Sequence, residues 1–149
     1  MKTCLLYIAA IGLILSANSC NTARENKYNV SKLLIEVSHE NDVDYCSLLE
    51  NAYAGDIDAI KQLSLMEFHE ACGYEHGIIL KNLIKEIGED AYILAIKETT
   101  EKQRQLILGY LDVGIQYDSP EDITITQNDV EEVFPKLFLF LTNREHEII

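Results

Sequence analysis

From Tyr28 onward, the apolar residues of this 149-residue chain recur at intervals of three and four, the repeat of a helix face. Val30, Leu33, Leu34 and Val37 make a first stripe, closed by the polar run Ser38-His39-Glu40-Asn41-Asp42. Tyr45, Leu48, Leu49 and Ala52 make a second, and Gly55 suits its C-terminus because glycine tolerates positive φ. Asp56 is placed to cap a third helix with Ile57, Ile60 and Leu63 inward. Ser64-Leu65-Met66-Glu67 has the form of a capping box, so a short helix is expected from there to about Gly73. The clearest helix is expected over Glu75 to Ile87. Its inner side is Leu80, Leu83, Ile84 and Ile87, and its wet side Lys81, Asn82, Lys85 and Glu86.

Gly88 ends that helix. The apolar run Ala91 to Ile96 fits a short buried helix or a strand, and its helical flanks favour the helix. A second capping box, Thr100-Glu101-Lys102-Gln103, opens a helix with Leu106, Ile107, Tyr110, Leu111 and Ile115 inward. Gly109 and Gly114 each weaken it by about 1 kcal/mol relative to Ala, which implies close helix packing at both. Gln116 to Gln127 is the longest irregular connection; Ser119-Pro120 favours a turn, and Ile123-Thr124-Ile125-Thr126 alternates without a partner strand. Asn128-Asp129-Val130-Glu131 can cap a last helix carrying Val130, Val133, Phe134, Leu137 and Leu141, which Pro135 kinks or divides. The run Leu137 to Leu141 is apolar all round, so Phe138 and Phe140 are either core residues or a contact surface. The expected fold is all-α: one domain over 28–142, of six or seven short antiparallel helices in hairpin layers, with a frayed polar tail over 143–149. The Gly55-Asp56 and Gly88-Glu89-Asp90 junctions, 33 residues apart, resemble those of helical-hairpin solenoids such as HEAT or ankyrin-like arrays.

The N-terminus has another character. Lys2 is followed by the apolar run Cys4 to Leu15 and then by Ser16-Ala17-Asn18-Ser19-Cys20. The run is too short for the roughly 20 residues a membrane span needs, and its layout is that of a signal segment. It resembles the signal peptides of bacterial lipoproteins, whose lipobox ends in a cysteine. The resemblance covers residues 1–20. It implies cleavage after Ser19, lipidation of Cys20, a tether over 20–27, and a place in the cell envelope, on the outer membrane or facing the periplasm. An ordinary secretory signal would also be cut before Cys20, leaving a secreted or soluble periplasmic protein.

Charge and cysteine content narrow the function classes. Twelve Lys and Arg stand against 25 Asp and Glu, a net charge of −13, which becomes −14 when Lys2 leaves with the signal. A surface so negative repels phosphate backbones and anionic lipid heads, so no nucleic-acid partner is expected; the charge serves solubility alone or, as the functional alternative, suits a basic protein partner. Of four cysteines, the resemblance implies that Cys4 departs with the signal and that Cys20 carries the lipid. Cys46 and Cys72 either pair in an oxidising compartment or sit as buried thiols on helix faces, the second being the commoner fate.

The residues with most chemistry crowd into one stretch. His69, Glu70, Cys72, Glu75 and His76 offer the nitrogen, sulfur and oxygen donors of a metal site, with His69, Cys72 and His76 the candidate ligands. A Cys72–His76 pair also has the makings of an activated thiolate, though neither an oxyanion donor nor an orienting third group accompanies it. The plainer reading is an inter-helix corner with Cys72 buried and His76 as a cap. No cofactor motif occurs. The expectation is a non-enzymatic, membrane-anchored protein-binding module. An immunity protein against an envelope-acting toxin is one form of it, a structural or accessory envelope lipoprotein another. Metal or enzyme chemistry at the His69–His76 corner is the third alternative.

Overall fold

The computed structural model describes residues 28–117 and 129–144. Among them are eight helices and no strand: α1 Lys32–Glu40, α2 Tyr45–Tyr53, α3 Ile57–Ser64, α4 Glu70–Ile87, α5 Glu89–Ile96, α6 Glu101–Tyr117, α7 Asp129–Val133 and α8 Pro135–Leu141. None is long and apolar enough to cross a membrane. The signal segment, Cys20, the tether, the residues from Ser119-Pro120 to Asn128 and the tail beyond Arg144 lie outside the described residues.

The start and stop signals work largely as the side chains dictate. Ser31, Asp44 and Asp56 each accept the N–H three residues on, opening α1, α2 and α3. The Thr100–Gln103 box closes in both directions: Gln103 Oε1 accepts the Thr100 N–H at 2.9 Å, and Thr100 Oγ1 accepts the Gln103 N–H at 3.3 Å. Gly55 and Gly88 both stand at φ 87°, a turn that L side chains resist. Pro135 divides the last helix and becomes the first residue of α8. That helix has no capping side chain of its own. Glu89, at the first turn of α5, reaches across 48 residues to accept the Leu137 N–H at 2.7 Å, beside the Lys136–Asp90 ion pair at 2.9 Å.

All eight helices contribute to one apolar core. Its axis is the pair α4 and α6, the most extensively packed of all. Tyr74 meets Tyr117 and Gly77 meets Gly114, so the two helices run in opposite senses. At the crossing there is no room for side chains: a Cβ on Gly77 would lie 2.3 Å from the Tyr110 carbonyl oxygen, and one on Gly114 2.2 Å from that of Gly77. Backbone therefore packs on backbone.

Several expected phases are corrected. In α1 Leu33 is 52% exposed, and Leu34, Ile35 and Ser38 face inward. Ser38 can be buried because its hydroxyl donates to the Leu34 carbonyl at 2.7 Å. Ile57, in the first turn of α3, is 48% exposed, and Ala59 takes its inward place. Ser64 does not start a helix. It ends α3, donates to the Ile60 carbonyl at 2.7 Å and lies 2.6 Å from the Tyr92 hydroxyl of α5. Gly73 does not stop one, since α4 runs through it. Lys81 is not on a wet side: packed by α6 and by α1, α2 and α5, α4 leaves it only 2% exposed. Val133 is exposed. Gly114 is closely packed, but a Cβ on Gly109 meets nothing within 4 Å among the described residues.

Candidate functional site

The His69–His76 stretch does not converge. His69 is exposed at the start of α4 and caps nothing with its side chain. Glu75 turns toward α1, where its two oxygens accept the Ser31 N–H and the Ser31 hydroxyl, each at 2.5 Å. The carboxylate thus secures the N-terminus of α1, where negative charge is favoured. Cys72 and Cys46 are both buried, and no disulfide joins them. Burial, and then the Glu75 carboxylate, push the Cys72 thiol up, away from the thiolate a nucleophile or metal ligand must be. Among the described residues no group of three or more His, Cys, Asp or Glu is placed to hold a metal ion.

His76 is the centre of an aromatic cage, not a cap. It is fully buried in α4, with Phe68, Tyr110 and Tyr45 packed around its ring at centroid distances of 4.9, 4.9 and 5.9 Å. Its Nδ1 lies 2.7 Å from the Tyr45 hydroxyl. Burial holds that phenol well above its usual range, so Tyr45 keeps its proton and donates it, which leaves the imidazole proton on Nε2. Nε2 makes no hydrogen bond of normal geometry. The Leu63 carbonyl favours the charged ring, but burial dominates and lowers the pKa from 6.5 to about 3. Tyr110 completes the cage: its hydroxyl accepts the Phe68 N–H at 2.7 Å and donates to the Phe68 carbonyl at 3.3 Å. This tyrosine–histidine–tyrosine cluster locks the entry to α4 against α2 and α6. Its groups are neutral, and apart from Nε2 their polar atoms are used within it.

The surface over α6 is different. A groove of about 380 Å³ lies between the start of α4 and α6, walled by Tyr74, Leu106, Gly109, Tyr110 and Val113 and edged by Glu67 and Glu70. Tyr74 (45% exposed) and Tyr117 (58%) stack at its end, ring centroids 4.7 Å apart. A second groove, of about 530 Å³, runs along the other side of α6 toward α7 and α8, past Leu108, Asp112, Glu131 and Phe138. Phe140 is buried beneath Arg104, whose guanidinium sits 4.6 Å from the ring centre, whereas Phe138 is half-buried and reaches the groove. The sequence reading did not single out Tyr74, Tyr117 or the furrow at Gly109. The available signal was that both tyrosines stand off the inward stripes of their helices.

The fold and these surfaces define a small, acidic, all-α domain with a neutral aromatic cage around His76 and two grooves along α6, the first mainly apolar and the second of mixed polarity. No protein-family model, no curated protein and no solved structure matches the chain.

Proposed function

We propose that this chain is an exported protein, anchored to a membrane of the cell envelope through a lipid on Cys20, that acts by binding another protein and turns over no substrate. The observation that carries the binding role is the division of chemistry in the domain. His76, Cys72 and Tyr45, the groups closest to covalent or acid–base work, are buried and held neutral, while carboxylates and half-exposed aromatic residues face water. Tyrosine is enriched in protein interfaces, where its ring is apolar and its hydroxyl wet. The net charge of −13 favours a basic partner by speeding encounter. An inhibitor that masks a toxin at the envelope is one concrete form of this role.

Two measurements test it. Mass spectrometry of the native N-terminus should find Cys20 acylated, and Cys20→Ala should move the protein out of the membrane fraction or block its processing. A photo-cross-linking residue, placed in turn at exposed positions of the protein in its own envelope, should give a stoichiometric adduct confined to one patch. An unmodified Cys20 removes the anchor. Absence of any adduct removes the binding role.

A further inference from the structure

Gly109 is exposed in the middle of the 17-residue helix α6, and a Cβ there would meet nothing within 4 Å among the described residues. Glycine is among the poorest residues for a helix interior, and no contact among the described residues calls for it. Elsewhere the same helix displays a use for a bare Cα: at Gly114 the backbone of α4 comes close enough to exclude any side chain. Gly109 precedes Gly114 by five residues, which at 3.6 residues per turn places it about 140° around the helix, away from that crossing. The two grooves beside α6 meet there, sharing Gln105 and Gly109. Their edges carry Glu67, Glu70, Asp112 and Glu131 against one guanidinium, Arg144, which lies 5.7 Å from the centre of the Phe138 ring.

We propose that the outer face of α6 docks a basic amphipathic helix of a partner protein, whose backbone crosses α6 at Gly109. The partner's apolar side chains fill the paired grooves against Tyr74, Leu106, Leu108 and Phe138, and its Lys or Arg residues face Glu67, Glu70 and Glu131. The mode is helix-in-groove recognition, with charge setting the orientation. The inference supplies a surface and a partner chemistry for the binding role proposed above, and rests on it.

The probe is an immobilised synthetic helical peptide with leucine on one face and lysine on the other. Two controls accompany it: the same peptide with Glu for every Lys, and a scrambled peptide of equal charge without an apolar face. The full chain is passed over each in a non-ionic detergent. The expected result is binding to the Lys–Leu helix, at least tenfold weaker binding to the scrambled peptide, and none to the Glu form. Gly109→Leu fills the furrow without changing charge and, with no described residue within 4 Å of the added Cβ, does not lower the melting temperature; it should weaken binding about tenfold or more. Glu67→Lys should weaken binding and flatten its salt dependence. No binding by the wild type, equal binding of the scrambled peptide, or an undiminished Gly109→Leu variant overturns the docking face. The broader binding role falls only if photo-cross-linking yields no adduct at any exposed position, so the two failures are distinct.

Discussion

Substituting Ala for three glycines that lie in helices should give effects of opposite sign. At Gly77 the new Cβ would stand 2.3 Å from the Tyr110 carbonyl oxygen and at Gly114 2.2 Å from that of Gly77, whereas real Cβ contacts under 3.0 Å essentially do not occur. The obstacle in each case is backbone, so α4 and α6 must move apart and loosen the apolar contacts along their length. Overpacking typically costs about 1–3 kcal/mol, and a backbone clash falls at the top of that range, about 3 kcal/mol. Alanine returns up to about 1 kcal/mol of helix propensity, leaving a net loss of about 2 kcal/mol. At Gly109 no described residue lies within 4 Å of the added Cβ, so Gly109→Ala keeps the full propensity gain of about 1 kcal/mol. For a domain of this size each kcal/mol moves Tm by about 3–5 °C, so Gly77→Ala and Gly114→Ala should melt about 6–10 °C lower and Gly109→Ala about 3–5 °C higher. Urea titration followed by helix circular dichroism should give the same order with unchanged m-values. The double variant Gly77→Ala/Gly114→Ala should cost less than the sum of its parts, because one separation of the helices relieves both clashes. If Gly77→Ala and Gly109→Ala shift stability in the same direction, the backbone-on-backbone crossing is wrong.

Three further outcomes follow from the packing and the buried imidazole. With a pKa of about 3 in the folded state and 6.5 in the unfolded one, His76 contributes stability that is complete above pH 6.5. That contribution is lost as pH falls toward 3, because only the unfolded chain takes up the proton. Between pH 6.5 and 5 the loss should be about 1.6 kcal/mol, and His76→Gln, which keeps an acceptor for Tyr45, should flatten the mean stability–pH slope in that interval by about 1.1 kcal/mol per unit; equal slopes would refute the neutral buried ring. Leu83→Ala and Leu111→Ala remove fully buried side chains and should each cost about 2–5 kcal/mol in urea unfolding, against about half a kcal/mol at most for the exposed Lys85→Ala. Asp56→Ala removes the cap on the Ala59 N–H and should cost about 0.5–2 kcal/mol, a loss that Asp56→Asn or Asp56→Ser should largely restore.

The legible parts of the fold were those set by local rules. Periodicity of three and four produced the helices, and Asp56, Gly88, the Thr100–Gln103 box and Pro135 acted at the positions where their chemistry places them. What a single stripe conceals is how many neighbours a helix has. α4 is covered on several sides, so Lys81, on the polar side of its pattern, is buried. Ser38 and Ser64 hide their hydroxyls on the preceding turn and pass as core residues, which moves Leu33 outward and voids the capping box expected at Ser64–Glu67. Gly73 reads as a breaker only until the opposing helix is known. The His69–His76 cluster was a cluster in sequence alone. Glu75 and His76 are adjacent on α4, yet one faces Ser31 of α1 and the other Tyr45 of α2. Their separation depends on partners 31 and 44 residues away, which local spacing does not encode.

The carboxylate that Glu89 lends to Leu137 makes α8 a conditional helix. Seven residues without a capping side chain of their own are far below the length at which a helix persists in water. α8 therefore reports on whether α5 is in place: when Glu89 is not presented, the terminal segment loses its cap and one of the three helices it packs against. What it then releases is Leu137-Phe138-Leu139-Phe140-Leu141, the most apolar stretch of the domain. In a cell, that exposure marks a molecule for chaperones and proteases. The end of the domain thus acts as a seal whose opening would flag a damaged copy for removal before the rest of the core has come apart.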